Sequence, residues 1–416
     1  MYWTKKITHI FLFLGLVLLL PVCSGNPEGE QTQTITPPDS LDTDEANNSV
    51  SKVEPPKVDK KFNDMARFIA GLSPEEGSEF TQYSQDPAWK AFAQQTDTQW
   101  EKINANKLPK MKEWSNQELQ AANEAKGLVF YPFSGPDFMH ASVFFPEAEQ
   151  IVMIGLEPIG NLPNFEKISK KSIGGYFNGI QRTLYSILSV SFFRTISMAD
   201  DFTGRVVSDI DGTLPVLMFF MERTNHKVLY YEKIAISPEG KVIPAEEAKA
   251  DSTYYGSKIT FQRNDHPEEY KTLYYFAANL QDSPYSARSG MSEGGLAQRT
   301  DFRKYLESLD ITSTYIKSAS YLMYRDSFSI IRNLILDKSK YFLQDDSGMS
   351  INFIDTAKWD LTFYGSYISP ISLFSVRYQS ALRQIYQKGV GVKPLPFGIG
   401  YQYQAGTSNL MLGVKK

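Results

Sequence analysis

The stretch from Gly127 to Gly160, "GLVFYPFSGPDFMHASVFFPEAEQIVMIGLEPIG", decides the architecture. Its first apolar run is broken by Ser-Gly-Pro-Asp, which predicts a buried strand turning into a helix N-terminus at Pro136 and Asp137. Residues 137 to 145 then make a short helix, and "QIVMIGLEPIG" supplies a second strand. Strand, helix, strand units favour parallel pairing through a right-handed crossover. Ligands collect at strand ends in open α/β sheets, so Ser134, Asp137, His140 and Glu157 form a candidate binding group. The plain alternative is local turn and capping chemistry.

Upstream, Met65, Phe68, Ile69 and Leu72 recur at helical spacing, as do Trp89, Phe92 and Trp100. The part from 61 to 125 therefore reads as an N-terminal helical cap. Downstream, 172–198 carries a helical stripe. "RVVSDIDGTLPVLMFFMER" (205–223) and "KVLYYEKIAI" (227–236) read as strands, with Asp211-Gly212 as a two-residue hairpin signal. "YYGSKITFQR" and "YKTLYYFAANL" flank another turn, which extends an antiparallel meander. The C-terminal third alternates helices near 299–308, 326–337 and 375–387 with strands near 311–317, 340–344 and 360–364, before a glycine-rich final strand region. The fold class that follows is α/β, with a mixed sheet holding a strand-helix-strand unit, an antiparallel meander and an N-terminal helical cap.

A second candidate group sits in "LQDDSG" (343–348), where Asp345 and Asp346 leave a strand into a Ser-Gly turn. Adjacent carboxylates can divide into acid and base if one is desolvated, which makes both candidate catalytic residues; Asp-Asp-Ser-Gly is also ordinary turn chemistry. Trp359 and Tyr364, with Phe363, Tyr367, Tyr401 and Tyr403, are candidates to line a sugar-stacking groove, against the plainer role of core aromatics.

Several chemistries are disfavoured. "Gly290-Met291-Ser292-Glu293-Gly294" has the spacing of a nucleophile elbow, but no strand immediately precedes it and no histidine follows His266. Asp137 and His140 would share a helix face, yet a closed zinc site needs four ligands. "DIDG" at 209–212 lacks the flanking acids of a calcium loop. No phosphate-loop or dinucleotide fingerprint occurs, so no cofactor is expected. A formal charge of −4 argues against nucleic acid as a partner.

The N-terminus supplies an address. Lys5 and Lys6, an apolar run from Ile10 to Leu20 and the single cysteine, Cys23, have the layout of an export signal (1–23). The run is short for a bilayer span. A lone cysteine in an exported chain has no internal disulfide partner, so Cys23 is the expected lipidation site, with ordinary cleavage after Ser24 as the alternative. Residues 24–60 are rich in Pro, Asp, Glu, Ser, Thr and Asn and read as a disordered tether. Residues 61–416 form the body, expected to be a single large unit.

The segments "YPFSGPDFMHASVFFP", "GLEPIG", "SYLMYRDSF" and "QDDSGMS…WDLTFYGSY" together resemble a family of exported bacterial lipoproteins with no assigned activity. The likeness covers most of 62–416. It implies export and a common fold, and carries over no catalytic residue. The expectation is a lipid-anchored extracytoplasmic protein of a Gram-negative-type envelope, in the periplasm or at the outer membrane. Its role is binding or structural, with a glycan or an envelope protein as partner; the alternative is an envelope hydrolase that uses carboxylates on glycans.

Overall fold

The computed structural model describes residues 56–190, 212–248, 256–283 and 295–416. The signal segment with Cys23, the tether up to residue 55 and the Gly290–Gly294 motif lie outside the described residues.

Helices α1 (Lys60–Ile69), α2 (Pro87–Asn106), α3 (Leu108–Glu118) and α4 (Gln120–Glu124) come first. Asp59 and Asp86 cap α1 and α2 by accepting from the amides of Lys61 and Ala88 at 3.0 and 2.8 Å. Then follow β1 (Leu128–Pro132), α5 (Phe138–Phe144) and β2 (Gln150–Gly155), with β1 and β2 parallel. Helices α6 (Phe165–Lys171), α7 (Ile173–Val190) and α8 (Leu214–Arg223) lead to β3 (His226–Ile236), β4 (Val242–Pro244), β5 (Gly256–Arg263) and β6 (His266–Ala277). The last third holds α9 (Thr300–Ser308), β7 (Ile311–Ile316), α10 (Ser329–Lys338), β8 (Tyr341–Gln344), β9 (Trp359–Gly365), α11 (Ser380–Lys388), β10 (Val392–Lys393) and β11 (Asn409–Lys415).

One expected strand is a helix. Residues 214–223 form α8, with Pro215 in its first turn, and Leu214 to Glu222 are all buried. A segment apolar on every side shows no period to separate helix from strand. Residues 205–211, the other arm of the expected hairpin, lie outside the described residues, and past them comes Gly212. Its φ of +95° and its contact with Ile159 and Gly160 bring the chain to the amides of Thr213 and Leu214, which donate to Pro158 O and Ile159 O. The antiparallel meander is built from β3, β4, β5 and β6, and β11 adds antiparallel pairs with β8 and β9.

The eleven-stranded sheet has the order β10-β9-β11-β8-β7-β1-β2-β6-β5-β3-β4. Its centre, β8-β7-β1-β2-β6, is parallel throughout. From β1 the chain first builds outward through β2 to β6 and later returns to place β7 and β8 on the other side of β1. This is the third-second-first-fourth-fifth order of doubly wound sheets, with its switch point between β1 and β7.

Alternation along the strands separates two cores. Val129, Tyr131, Ile151, Met153 and Tyr315 face the layer of α1–α3 and α5–α8. Leu128, Phe130, Val152, Ile154 and Ile316 face α9 and α10. Helices thus cover both faces, which is why β1 and β7 are buried along their whole length.

Candidate functional site

Four loops leave the carboxyl ends of neighbouring parallel strands at one edge: Phe133–Asp137 after β1, Leu156–Ile159 after β2, Lys317–Tyr321 after β7 and Asp345–Gly348 after β8. At the switch point the first and third meet. Asp137 Oδ1 lies 2.7 Å from His140 Nδ1, and Asp137 Oδ2 lies 2.6 Å from Lys317 Nζ and accepts from Tyr131 Oη at 2.8 Å. All four side chains are buried, Asp137 and His140 completely.

Burial alone would raise the Asp137 carboxyl, but His140 and Lys317 together outweigh it and hold the group well below the usual carboxylate range. Burial lowers the His140 imidazole to about 4, against the attraction of Asp137. The ring is therefore neutral at ordinary pH. The 2.7 Å contact assigns its single N–H to Nδ1, donating to Asp137, and leaves Lys317 Nζ as a 3.2 Å neighbour of that nitrogen. Nε2 then carries a lone pair, and it is buried with no hydrogen-bond partner. Half-buried Lys107, between α2 and α3, is lowered to about 8 by burial first and then by Lys317.

The remaining expected residues fall around this centre. Ser134 Oγ donates to Ile154 O at 3.2 Å, so its hydroxyl ties β1 to β2. Glu157 is buried at the end of β2; Tyr275 Oη donates to its carbonyl at 3.2 Å, and a Cβ on Gly155 would come within 2.6 Å of its carboxylate and 3.1 Å of Gly135 Cα. Only a glycine at 155 lets that carboxylate fold back beside the first turn.

Asp345 and Asp346 lie on the same edge, and the hydroxyls of Tyr131 and Tyr315, whose rings are 4.5 Å apart, feel the charges of both Asp137 and Asp345. Asp345 accepts from the amides of Ser318 and Ser347 at 2.9 and 3.0 Å. Asp346 accepts from Tyr321 Oη and from Asn409 Nδ2. Burial, then the adjacent Asp346 charge, pushes Asp345 up to about 7, and burial raises Asp346 as well. Desolvation has divided this pair from ordinary turn carboxylates, although every carboxylate oxygen has an internal donor.

The two ring candidates lie elsewhere. Trp359 opens β9 at the amino edge and packs on Phe342 with ring centroids 4.8 Å apart. Tyr364 stands edge-on to Trp114 and donates to Glu118 at 2.8 Å. Both are buried, so neither offers a face to a ligand; each is a core aromatic.

Sequence reading missed Lys317, Tyr131, Tyr315 and the turn after β7. In that turn Ser318, Ser320 and Tyr321 all take positive φ, between 52° and 55°. Left-handed non-glycine residues cost about 1–3 kcal/mol each and gather at functional sites. The only signal was a lysine closing a buried strand.

Two other polar groupings sit at the amino edge. A cavity of about 290 Å³ is lined by Lys112, Glu147, His226, Arg263 and Asp265 among others, and Arg263 is already paired with both acids. His266, Glu268 and Glu269 bring ligand atoms within 4.8 Å of one another, but Glu269 is shared with Lys126 and Lys271. Among the described residues no helix is long and apolar enough to cross a membrane. No protein family and no curated protein matches the sequence.

Proposed function

We propose that this is a lipid-anchored extracytoplasmic envelope protein that binds an uncharged, hydroxyl-bearing ligand, the sugar portion of an envelope glycan, at its β1/β7 switch point. The address rests on Lys5, Lys6, the Ile10–Leu20 run and the lone Cys23. The binding reading rests on one observation, the partnerless Nε2 of His140 at zero exposure. An unsatisfied buried polar atom costs about 1–3 kcal/mol. A ligand O–H donating to that nitrogen removes the cost.

The surrounding charges select the ligand. Asp137 caps α5 and stands where a phosphate would sit at a helix N-terminus, so anions are repelled. The Lys317 charge is engaged by Asp137. Neutral hydroxyls satisfy both an imidazole lone pair and the nearby carboxylates without new charge burial. The site is closed over in this structure, so binding is coupled to an opening of the edge and association is slow.

The second reading, a carboxylate hydrolase, draws support from the raised Asp345. Against it, both oxygens of each acid are engaged by internal donors, and the two acids are adjacent rather than facing across a bond. An imidazole at about 4 is also a weak general base near neutrality. Calorimetric titration of neutral and acidic oligosaccharides tests the choice. Neutral ligands should bind without turnover, and His140→Phe should lose them. Turnover abolished by Asp345→Asn would favour the hydrolase instead.

A further inference from the structure

Just past the end of β9 the chain displays Ile368, Leu373, Val376 and Tyr378, exposed to 64, 77, 86 and 50 %. Single exposed apolar residues are ordinary; four on one short segment form a patch. The segment has a fixed base. Phe374 turns inward against Tyr321 and Tyr401, 5.1 Å from each ring. Gln402 donates to Ser369 O at 2.6 Å and Arg383 to Tyr367 O at 3.1 Å. The aliphatic side chains are thereby held outward.

Charge supplies the second observation. From Leu361 to Lys416 the sequence contains Arg377, Arg383, Lys388, Lys393, Lys415 and Lys416 and not one Asp or Glu, in a chain whose formal charge is −4. Of these, Arg377 lies within the segment and Arg383 donates to Tyr367 O beside it, whereas Lys393 and Lys416 pair with Glu118 and Asp360; aliphatic side chains beside the two arginines match the interface of an anionic bilayer. A protein partner fits less well, because interface anchors are mostly Trp, Tyr and Arg in pockets, while Leu, Val and Ser are under-represented there. We propose that the segment 368–378 docks the carboxyl edge of the sheet onto an anionic lipid surface. Tyr321, which touches Phe374, donates to Asp346, so docking turns the candidate site toward the bilayer. This docking is independent of what the switch point binds.

The test uses the full chain carrying Leu373→Trp, reconstituted in vesicles of phosphatidylglycerol or phosphatidylcholine with brominated acyl chains. Of the five tryptophans, Trp89, Trp100, Trp114 and Trp359 are buried and Trp3 lies in the signal segment, so wild type supplies the background. Emission added by the new tryptophan should be quenched about twofold in phosphatidylglycerol, and less in phosphatidylcholine or at high salt. Arg377→Gln should weaken docking about fivefold, equivalent to about 1 kcal/mol per basic residue at an anionic surface. No added quenching, equal quenching in both lipids, or a blue shift in solution that grows with protein concentration and marks a second copy on the patch would each overturn the proposal.

Discussion

Lys317 Nζ lies 2.6 Å from Asp137 Oδ2 and thereby joins the ends of β7 and β1 across the point where the sheet reverses its direction of growth. Both side chains are buried, so neither charge has water to fall back on. Removing one partner of such a pair costs about 3–5 kcal/mol. Lys317→Met should lower stability by that amount in denaturant unfolding. Lys317→Met with Asp137→Asn should cost less than the sum of the two single changes, and strict additivity would mean that the pair is not coupled.

Asp345 is expected to make stability fall with rising pH. Its carboxyl is raised to about 7 in the fold, above the ordinary value of 3.8, by burial and then by Asp346. Between these values the folded state binds more protons than the unfolded state, so its contribution is complete below about pH 4 and is lost as pH rises through about 7. Asp345→Asn removes the loss. The stability of the variant relative to wild type should rise between pH 4 and pH 8, as read from urea midpoints at both pH values. A constant difference would show an ordinary carboxylate.

Gly400 backs directly onto that acid. Its φ is +69°, and a Cβ there would lie 2.3 Å from Asp345 Oδ2. Gly406 has φ +88° with nothing within 4 Å. Gly406→Ala should cost only the left-handed conformation, about 1–2 kcal/mol. Gly400→Ala should cost clearly more, because it also displaces a buried carboxylate. Equal losses in thermal unfolding would remove Gly400 from the site.

The sequence disclosed the parts of this arrangement with strong local grammar. The switch from helical spacing to an apolar run at Gly127, with Ser-Gly-Pro-Asp behind it, is enough to place β1, α5 and β2, and with them Asp137 and Glu157 at one edge. Helix α8 was hidden because Leu214 to Glu222 are buried all round and show no period. Lys317 was hidden for another reason. Its neighbour His140 is 177 positions away, and only the strand order brings them together. Ser318, Ser320 and Tyr321 give no glycine to mark their left-handed turn. Trp359 and Tyr364 have a composition that suits a groove as well as a core, and burial decides for the core.

The central claim is that His140 presents a neutral imidazole whose Nε2 awaits a ligand hydroxyl. Nitrogen-15 NMR of the histidine side chains measures this directly. His140 should show the tautomer protonated at Nδ1, remain neutral until about pH 4, and shift at Nε2 when neutral oligosaccharide is added, while His266 at the opposite edge does not move. A His140 ring protonated at Nε2, titrating near its ordinary value, or indifferent to every neutral oligosaccharide would contradict the account.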